Sequence, residues 1–198
     1  RICQAMIDRV RYEQRIGHPI KIAYDEWNVW YRAVGDSGIE ERYTLADALA
    51  VATYLNIFIR HCRSIGMANL AQMVNVIAPI FTSPQGLFLQ TIYHPFRLYA
   101  EHTALEDAHV ECETYDLVPA EKAPPARFNV ADLGPFRLLD VAASCDAAGR
   151  EITLAVVNRD RERALATTIQ LVDAAVTGVT AYEVNGANPD VFNSFEQP

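Results

Sequence analysis

The stretch Ile20-Lys21-Ile22-Ala23-Tyr24-Asp25-Glu26-Trp27-Asn28-Val29-Trp30-Tyr31 decides the fold. Ile20 to Trp27 is a β-branched and aromatic run with too little polarity for a solvated strand, which predicts a buried parallel strand. Alternation puts Ile20, Ile22, Tyr24 and Glu26 on one face, so a carboxylate terminates an otherwise apolar row. In a β/α barrel the reacting groups stand at the C-terminal ends of strands, and Glu26 sits where this strand yields to a segment with Trp27, Trp30 and Tyr31. Aromatic faces stack on the C–H face of a sugar ring, while Asn and Gln bond its hydroxyls. The residue pattern alone leaves a second reading open, in which Glu26 pairs with a basic residue at a barrel rim and the aromatics are core.

Towards the N-terminus, residues 1–16 place Cys3, Met6, Ile7 and Val10 on one stripe and Gly17 supplies a stop, so an amphipathic helix is expected. Arg1 has no cap or leader before it, which reads as a chain cut from something longer. Downstream, a polar loop with Gly35, Asp36, Ser37 and Gly38 leads to Thr44, which forms a capping-box pattern with Asp47. The helix predicted over 45–64 is apolar nearly all round, with Leu45, Leu49, Val51, Leu55, Ile57, Phe58 and Ile59, so it should pack on more than one side. Gly66 closes it, and a strand is predicted over 67–76 with Leu70, Gln72 and Val74 on one face. Another helix is predicted over 91–102. Helix, strand, helix, strand with short connections is the pattern of parallel β/α units.

From about residue 107 the apolar period falls to two, after which Pro119, Pro124 and Pro125 punctuate a turn-rich segment. Strands are predicted over 136–142, 152–157, 166–171 and 179–184, with a turn at Asp146-Ala147-Ala148-Gly149. This part reads as an antiparallel β domain with its boundary near residue 106. The charge run Arg159-Asp160-Arg161-Glu162-Arg163 reads as a solvated hairpin tip.

With 198 residues, 51% of them apolar and 21% charged, the chain has material for a packed core and is not disordered. A net charge of -8 repels phosphate backbones and anionic membranes, so neither nucleic acid nor membrane is an expected partner. No apolar stretch approaches the roughly 20 residues of a membrane span, and the N-terminus lacks a signal-peptide plan. Cys3, Cys62, Cys112 and Cys145 lack a C-x-x-C spacing and read as buried reduced thiols. The absence of an N-x-S/T sequon agrees with a cytoplasmic protein. His18, His61, His94, His102 and His109 show no ligand spacing, so no metal or cofactor is expected. G-x-S-x-G, P-loop and G-x-G-x-x-G motifs do not occur.

Three segments in order, K-I-A-Y-D-E-W-N-V-W-Y-R at Lys21 to Arg32, A-N-L-A-Q-M-V-N-V-I-A-P-I at Ala68 to Ile80 and Q-T-I-Y-H-P-F at Gln90 to Phe96, together resemble the C-terminal part of family 51 glycoside hydrolases, the α-L-arabinofuranosidases. The likeness covers both β/α units and the β domain up to Asn193-Ser194-Phe195. It implies a retaining, exo-acting glycosidase on a (β/α)8 barrel with a C-terminal jelly-roll-like β-sandwich. Residues 1–106 would hold the last two barrel strands, and residues 107–198 the sandwich. By the same resemblance Glu26 is the nucleophile, Gln72 contacts the arabinofuranose and Trp30 lines the leaving-group side. Trp27, Asn28 and Asn75 support the site, chiefly by packing. The implied substrates are terminal arabinofuranosyl residues of arabinan, arabinoxylan or their oligosaccharides, and the resemblance admits a homo-oligomer of the full-length parent.

A retaining mechanism needs a second carboxyl about 5 Å from the nucleophile. In the family it is the Glu of an Asn-Glu pair on an earlier barrel strand, and this sequence contains no Asn-Glu dipeptide. A full barrel takes roughly 250 residues, so about six β/α units lie outside this chain. The loop from Arg32 to Tyr43 is shorter than in many members. The expectation is a fragment that supplies the nucleophile without its acid/base and is inactive alone. The rival is a non-catalytic structural or carbohydrate-binding β-sandwich carrying a barrel remnant.

Overall fold

Two parallel strands joined through a helix carry the first half of the fold. In the computed structural model, which describes residues 2–30, 40–104, 106–112, 116–117 and 136–198, β1 (Ile22–Trp27) pairs in parallel with β2 (Ile65–Leu70). Helix α1 (Ile2–Glu13) precedes β1, and α2 (Leu45–Arg60) makes the crossover. A hairpin of β3 (Ile80–Ser83) and β4 (Gly86–Leu89) follows, then α3 (Tyr93–His102). The second half holds β5 (Glu106–Ala108), β6 (Asp116–Leu117), β7 (Phe136–Arg137), β8 (Leu139–Cys145) and β9 (Ile152–Asn158). Its antiparallel sheet runs β5-β8-β9, and β6 pairs with β7.

Helix α2 is the joint of the molecule, packing on α3, β8 and β9 as well as under β1. Its start is closed from two directions. The Asp47 carboxylate accepts from the Thr44 backbone N–H at 2.7 Å and from the Thr44 hydroxyl at 3.1 Å, as the capping-box pattern predicts. The Leu45 and Ala46 N–H groups donate to the carbonyls of Val191 and Pro189, each at 2.9 Å. The chain's last residues therefore cross back to the first half. Phe195 stacks edge-on against Phe88 at 4.8 Å, Asn193 donates to the Leu89 carbonyl at 2.8 Å, and Arg42 covers the Phe192 ring at 4.6 Å. The turn into this tail has no room for a side chain, because a Cβ on Gly186 would meet Val191 Cγ2 at 2.6 Å.

Toward β1, α2 presents Tyr54 and Phe58. Trp27 meets the Phe58 ring at 5.1 Å and the Tyr54 ring at 5.6 Å, and Tyr24 meets Phe58 at 5.4 Å. Trp27, Tyr43, Val51 and Ile92 are the buried centre of this core, with Leu55, Leu70, Ile77 and Phe96 against them.

On its far side α2 meets β8 through polar groups. Asn56, fully buried, donates to Asp140 Oδ1 at 2.8 Å and accepts from the Tyr99 hydroxyl at 2.7 Å. Arg60 reaches both Asp140 oxygens, at 2.8 and 3.2 Å, and Arg159 stands 3.9 Å from the same carboxylate. Burial raises the Tyr99 hydroxyl well above its ordinary range, with Asp140 adding to the shift, so it stays protonated as a donor.

Several expectations are corrected. Strand β1 is mostly exposed rather than buried, because β2 covers one edge and α2 covers one face. Helix α2 stops at Arg60, and Gly66 lies inside β2, which ends at Leu70. The Cys3, Met6 and Val10 stripe of α1 is exposed, with no fully buried residue in the helix. The segments 166–171 and 179–184 form no strand. Their apolar residues, such as Ile169 and Val179, are exposed, since alternation marks a face but supplies no hydrogen-bonding neighbour. Among the described residues the antiparallel sheet has three strands, and β6 and β7 form a separate pair. Arg159 is not a solvated tip residue. It is half-buried, donates to the Arg137 carbonyl and lies near the Phe136 ring, and no second strand follows it. None of the cysteines is buried, Cys62, Cys112 and Cys145 being half-exposed. The turn at Asp146 to Gly149 forms as expected, with Gly149 at φ 64°. The polar loop with Gly35 to Gly38, most of the loop Arg32–Tyr43, and the segment with Pro119, Pro124 and Pro125 lie outside the described residues.

Two predictions follow from these contacts. In the intact protein Asp140→Ala leaves Arg60, Arg159 and Asn56 without their shared acceptor and should cost about 2–3 kcal/mol of stability, the partial exposure of Arg60 reducing the penalty of a fully buried pair. Asp140→Asn should cost less, and urea unfolding of both variants checks the order. His94 has its pKa lowered from 6.5, first by burial and then by the positive charge of Arg97. The folded state thus binds the proton more weakly than the unfolded chain, so this contribution is complete above the unfolded value and is lost as pH falls through 6.5 toward the folded one. The melting temperature should drop from pH 7 to pH 5 less steeply in His94→Gln than in the unmodified protein.

Candidate active site

Glu26 lies one residue before the end of β1, and Gln72 two residues past the end of β2, so both stand at the C-terminal mouth of one parallel pair. Both are exposed. The register explains how Glu26 gets there. Tyr24 pairs with Ala68 and Trp27 with Leu70, so three steps on β1 face two on β2, and Asp25-Glu26 holds a bulge. The row expected from strict alternation is overturned, because Tyr24 and Trp27 both lie on α2. Within this break in register Glu26 is exposed, while Trp27 beside it is buried.

The aromatic residues divide. Trp27 is 5% exposed and belongs to the core, whereas Trp30 is 66% exposed at the mouth. Tyr31 lies outside the described residues. Asn28 holds the two strand ends together: its Nδ2 donates to the carbonyls of Ala71 and Ile77, both at 2.6 Å, and its Oδ1 accepts from the Val29 N–H at 2.8 Å. Asn75 lies deeper in the loop and braces it, accepting from the Thr82 N–H at 2.8 Å. Asn75 and Val76 both adopt left-handed backbone, φ 58° and 63°, which for a β-branched Val costs about 1–3 kcal/mol and persists only where the surroundings fix it. The Ala71–Gln72 peptide is cis.

Sequence reasoning missed two residues behind this mouth. Tyr43 is fully buried, and its hydroxyl donates to the Val29 carbonyl at 2.6 Å. Gln90, 1% exposed, accepts from the Tyr43 N–H at 2.9 Å and donates to the carbonyls of Ala78 at 2.8 Å and Glu41 at 3.2 Å. Gln90 opens one of the segments that carried the resemblance, and a Gln beside an apolar run was the available signal. Among the described residues no group of three or more His, Cys, Asp or Glu side chains converges on a metal-sized site. Chemically, the mouth offers the exposed carboxylates of Asp25 and Glu26, an amide and an indole face, a set suited to a polyhydroxylated ring.

The family model described as the alpha-L-arabinofuranosidase C-terminal domain matches residues 25–198. A probable alpha-L-arabinofuranosidase C of Aspergillus niger is 37% identical over 97% of this chain and 37% of its own length. An intracellular exo-alpha-(1->5)-L-arabinofuranosidase of Streptomyces lividans is 30% identical over 98% of this chain and 30% of its own. The solved family 51 arabinofuranosidase of Thermotoga petrophila superposes with a TM-score of 0.72 at 33% identity, covering 98% of this chain and 40% of that one. The chain thus spans well under half the length of the proteins it matches. It belongs to the alpha-L-arabinofuranosidase C-terminal domain family, and its residues correspond to the C-terminal portion of family 51 arabinofuranosidases.

Proposed function

We propose that the full-length protein carrying this chain is a retaining, exo-acting α-L-arabinofuranosidase, in which Glu26 is the nucleophile, Gln72 binds the arabinofuranose and Trp30 lines the leaving-group side. The observation that carries the reading is an exposed Glu26 at the C-terminal mouth of a parallel strand pair, at the break in register between Tyr24 and Trp27. In this reading β1 and β2 are the last two strands of a (β/α)8 barrel, with Trp27, Asn28 and Asn75 supporting the mouth. In the same reading residues 107–198 form the C-terminal β-sandwich.

The chemistry follows from one carboxylate with a second supplied from elsewhere. The Glu26 carboxylate attacks the anomeric carbon as the bond to the leaving oxygen breaks through an oxocarbenium-like transition state. An acid about 5 Å away, on a strand outside this chain, protonates that oxygen. The same acid, now a base, takes a proton from water, whose oxygen displaces Glu26 and releases arabinose. The face of Trp30 suits stacking on the aglycone, and the amide of Gln72 suits hydrogen bonds to ring hydroxyls. Terminal arabinofuranosyl groups of arabinan, arabinoxylan or their oligosaccharides are the proposed substrates. A cytoplasmic location is proposed from the Streptomyces lividans relative, whose name includes the word intracellular. No described helix is long and apolar enough to cross a membrane.

Glu26→Gln in the full-length protein keeps size and hydrogen bonding but removes the attacking charge, so turnover should fall by several orders of magnitude while sugar affinity and melting temperature hold. A slow fluorinated arabinofuranoside should leave a covalent adduct that mass spectrometry maps to Glu26. Near-normal turnover, or an adduct on another carboxylate, overturns the assignment. The isolated 198-residue chain should hydrolyse no aryl arabinofuranoside. Turnover by pure chain that Glu26→Gln abolishes would refute the need for an outside acid.

A further inference from the structure

Gln72 stands in a loop that is held along its far limb at successive carbonyls. Val76 O accepts from the Glu41 N–H at 3.1 Å, Ala78 O from Gln90 Nε2 at 2.8 Å and Pro79 O from the Gln90 N–H at 2.8 Å. Between them Ile77 O receives Asn28 Nδ2 at 2.6 Å and has the Tyr43 hydroxyl 3.3 Å away. The same two side chains also hold the other loop. Tyr43 donates to Val29 O at 2.6 Å, and Asn28 both accepts from the Val29 N–H and donates to Ala71 O, directly before Gln72. We propose that Asn28 and Tyr43 are positioning residues of the reaction, converging on the Ile77 carbonyl to fix the loop that carries Gln72 against the strand end that carries Glu26.

This inference rests on the assignment of Glu26 and Gln72 given above. Neither Asn28 nor Tyr43 needs to touch the sugar. Asn28 lies two residues after Glu26, and its amide sets both limbs of the Gln72 loop, at Ala71 and Ile77, against that strand end. Tyr43 gives its one hydroxyl proton to the Val29 carbonyl at 2.6 Å, with the Ile77 carbonyl 3.3 Å away as a weaker second acceptor, which ties the two loops at one point. Gln90 orients Tyr43 through its backbone N–H. A hydrogen bond to a ring hydroxyl that strengthens as charge develops at the anomeric carbon depends on sub-ångström placement, so loosening this junction lowers kcat more than it raises KM.

The test uses the full-length protein and an aryl arabinofuranoside. Asn28→Ala should lower kcat by about tenfold to a hundredfold and the gentler Tyr43→Phe by about threefold to tenfold, each with KM changed less than about threefold. Tyr99→Phe is the control. It removes a hydroxyl buried between α3 and α2, where it donates to Asn56 at 2.7 Å, and should lower the melting temperature with kcat within about twofold. In a Gln72→Ala background, Asn28→Ala should add less than about twofold to the loss in kcat, because the loop then carries nothing to be positioned. The proposal is overturned if Asn28→Ala keeps its full effect in that background, or if Asn28→Ala and Tyr43→Phe lower the melting temperature alone, as Tyr99→Phe does. Glu26→Gln, measured in parallel, reports on the underlying assignment by itself. If it abolishes turnover while the positioning variants leave kcat unchanged, only the positioning role falls; if it retains turnover, the site assignment falls.

Discussion

Tyr24 and Trp27, three positions apart on β1, both lie against Phe58 of α2. A regular strand cannot put both there, since residues three apart lie on opposite faces. The extra residue at Asp25-Glu26 resolves the conflict and lets both rings lie on Phe58 of α2. Packing of these rings fixes the height of β1 over the helix. The height of β1 fixes where Asn28 begins its bonds to Ala71 and Ile77, and those bonds set the second loop. The exposed end of the site is thus anchored by its most buried neighbour.

A second dependency runs through the far side of α2. Its first residues bind the tail, its middle carries Asn56 toward Asp140, and its last turn supplies Arg60 to the same carboxylate. Hydrophobic area alone would leave the helix free to rotate against β8, because apolar contact has little directional preference. Asp140, collecting a buried amide and a guanidinium fork, fixes the rotation. The parallel pair and the antiparallel sheet are therefore held in register by one helix read on two faces, aromatic toward β1 and polar toward β8.

The parallel unit was legible because its signals are local. Thr44 with Asp47 marks a helix start, the run from Ile20 to Trp27 marks a strand, and Gln90 to His102 contains a helix with a proline in its first turn. The site positions were legible only from the likeness of three segments, and alternation misassigned Tyr24 because a bulge leaves no mark in hydrophobic pattern. The hairpin β3–β4 went unread, its four-residue strands being too short to show a period. Segments 166–171 and 179–184 carry a strand's alternation yet form no ladder, since pairing depends on a neighbour that a local pattern does not encode. Tyr43 and Gln90 were invisible for a related reason: each is defined by carbonyls on two separate loops, and a carbonyl looks the same in every residue.

The two carbonyls that close the start of α2 belong to Pro189 and Val191. During synthesis the helix is complete long before those residues leave the ribosome, so its first N–H groups face water or a chaperone throughout elongation. The contact is among the most non-local in the chain, and its loop-closure entropy is met only when the tail arrives. The crossover helix of the parallel unit is consequently the early-made element that is finished last. Docking of the tail, rather than formation of either sheet, is the event after which the nascent chain has its helix ends satisfied.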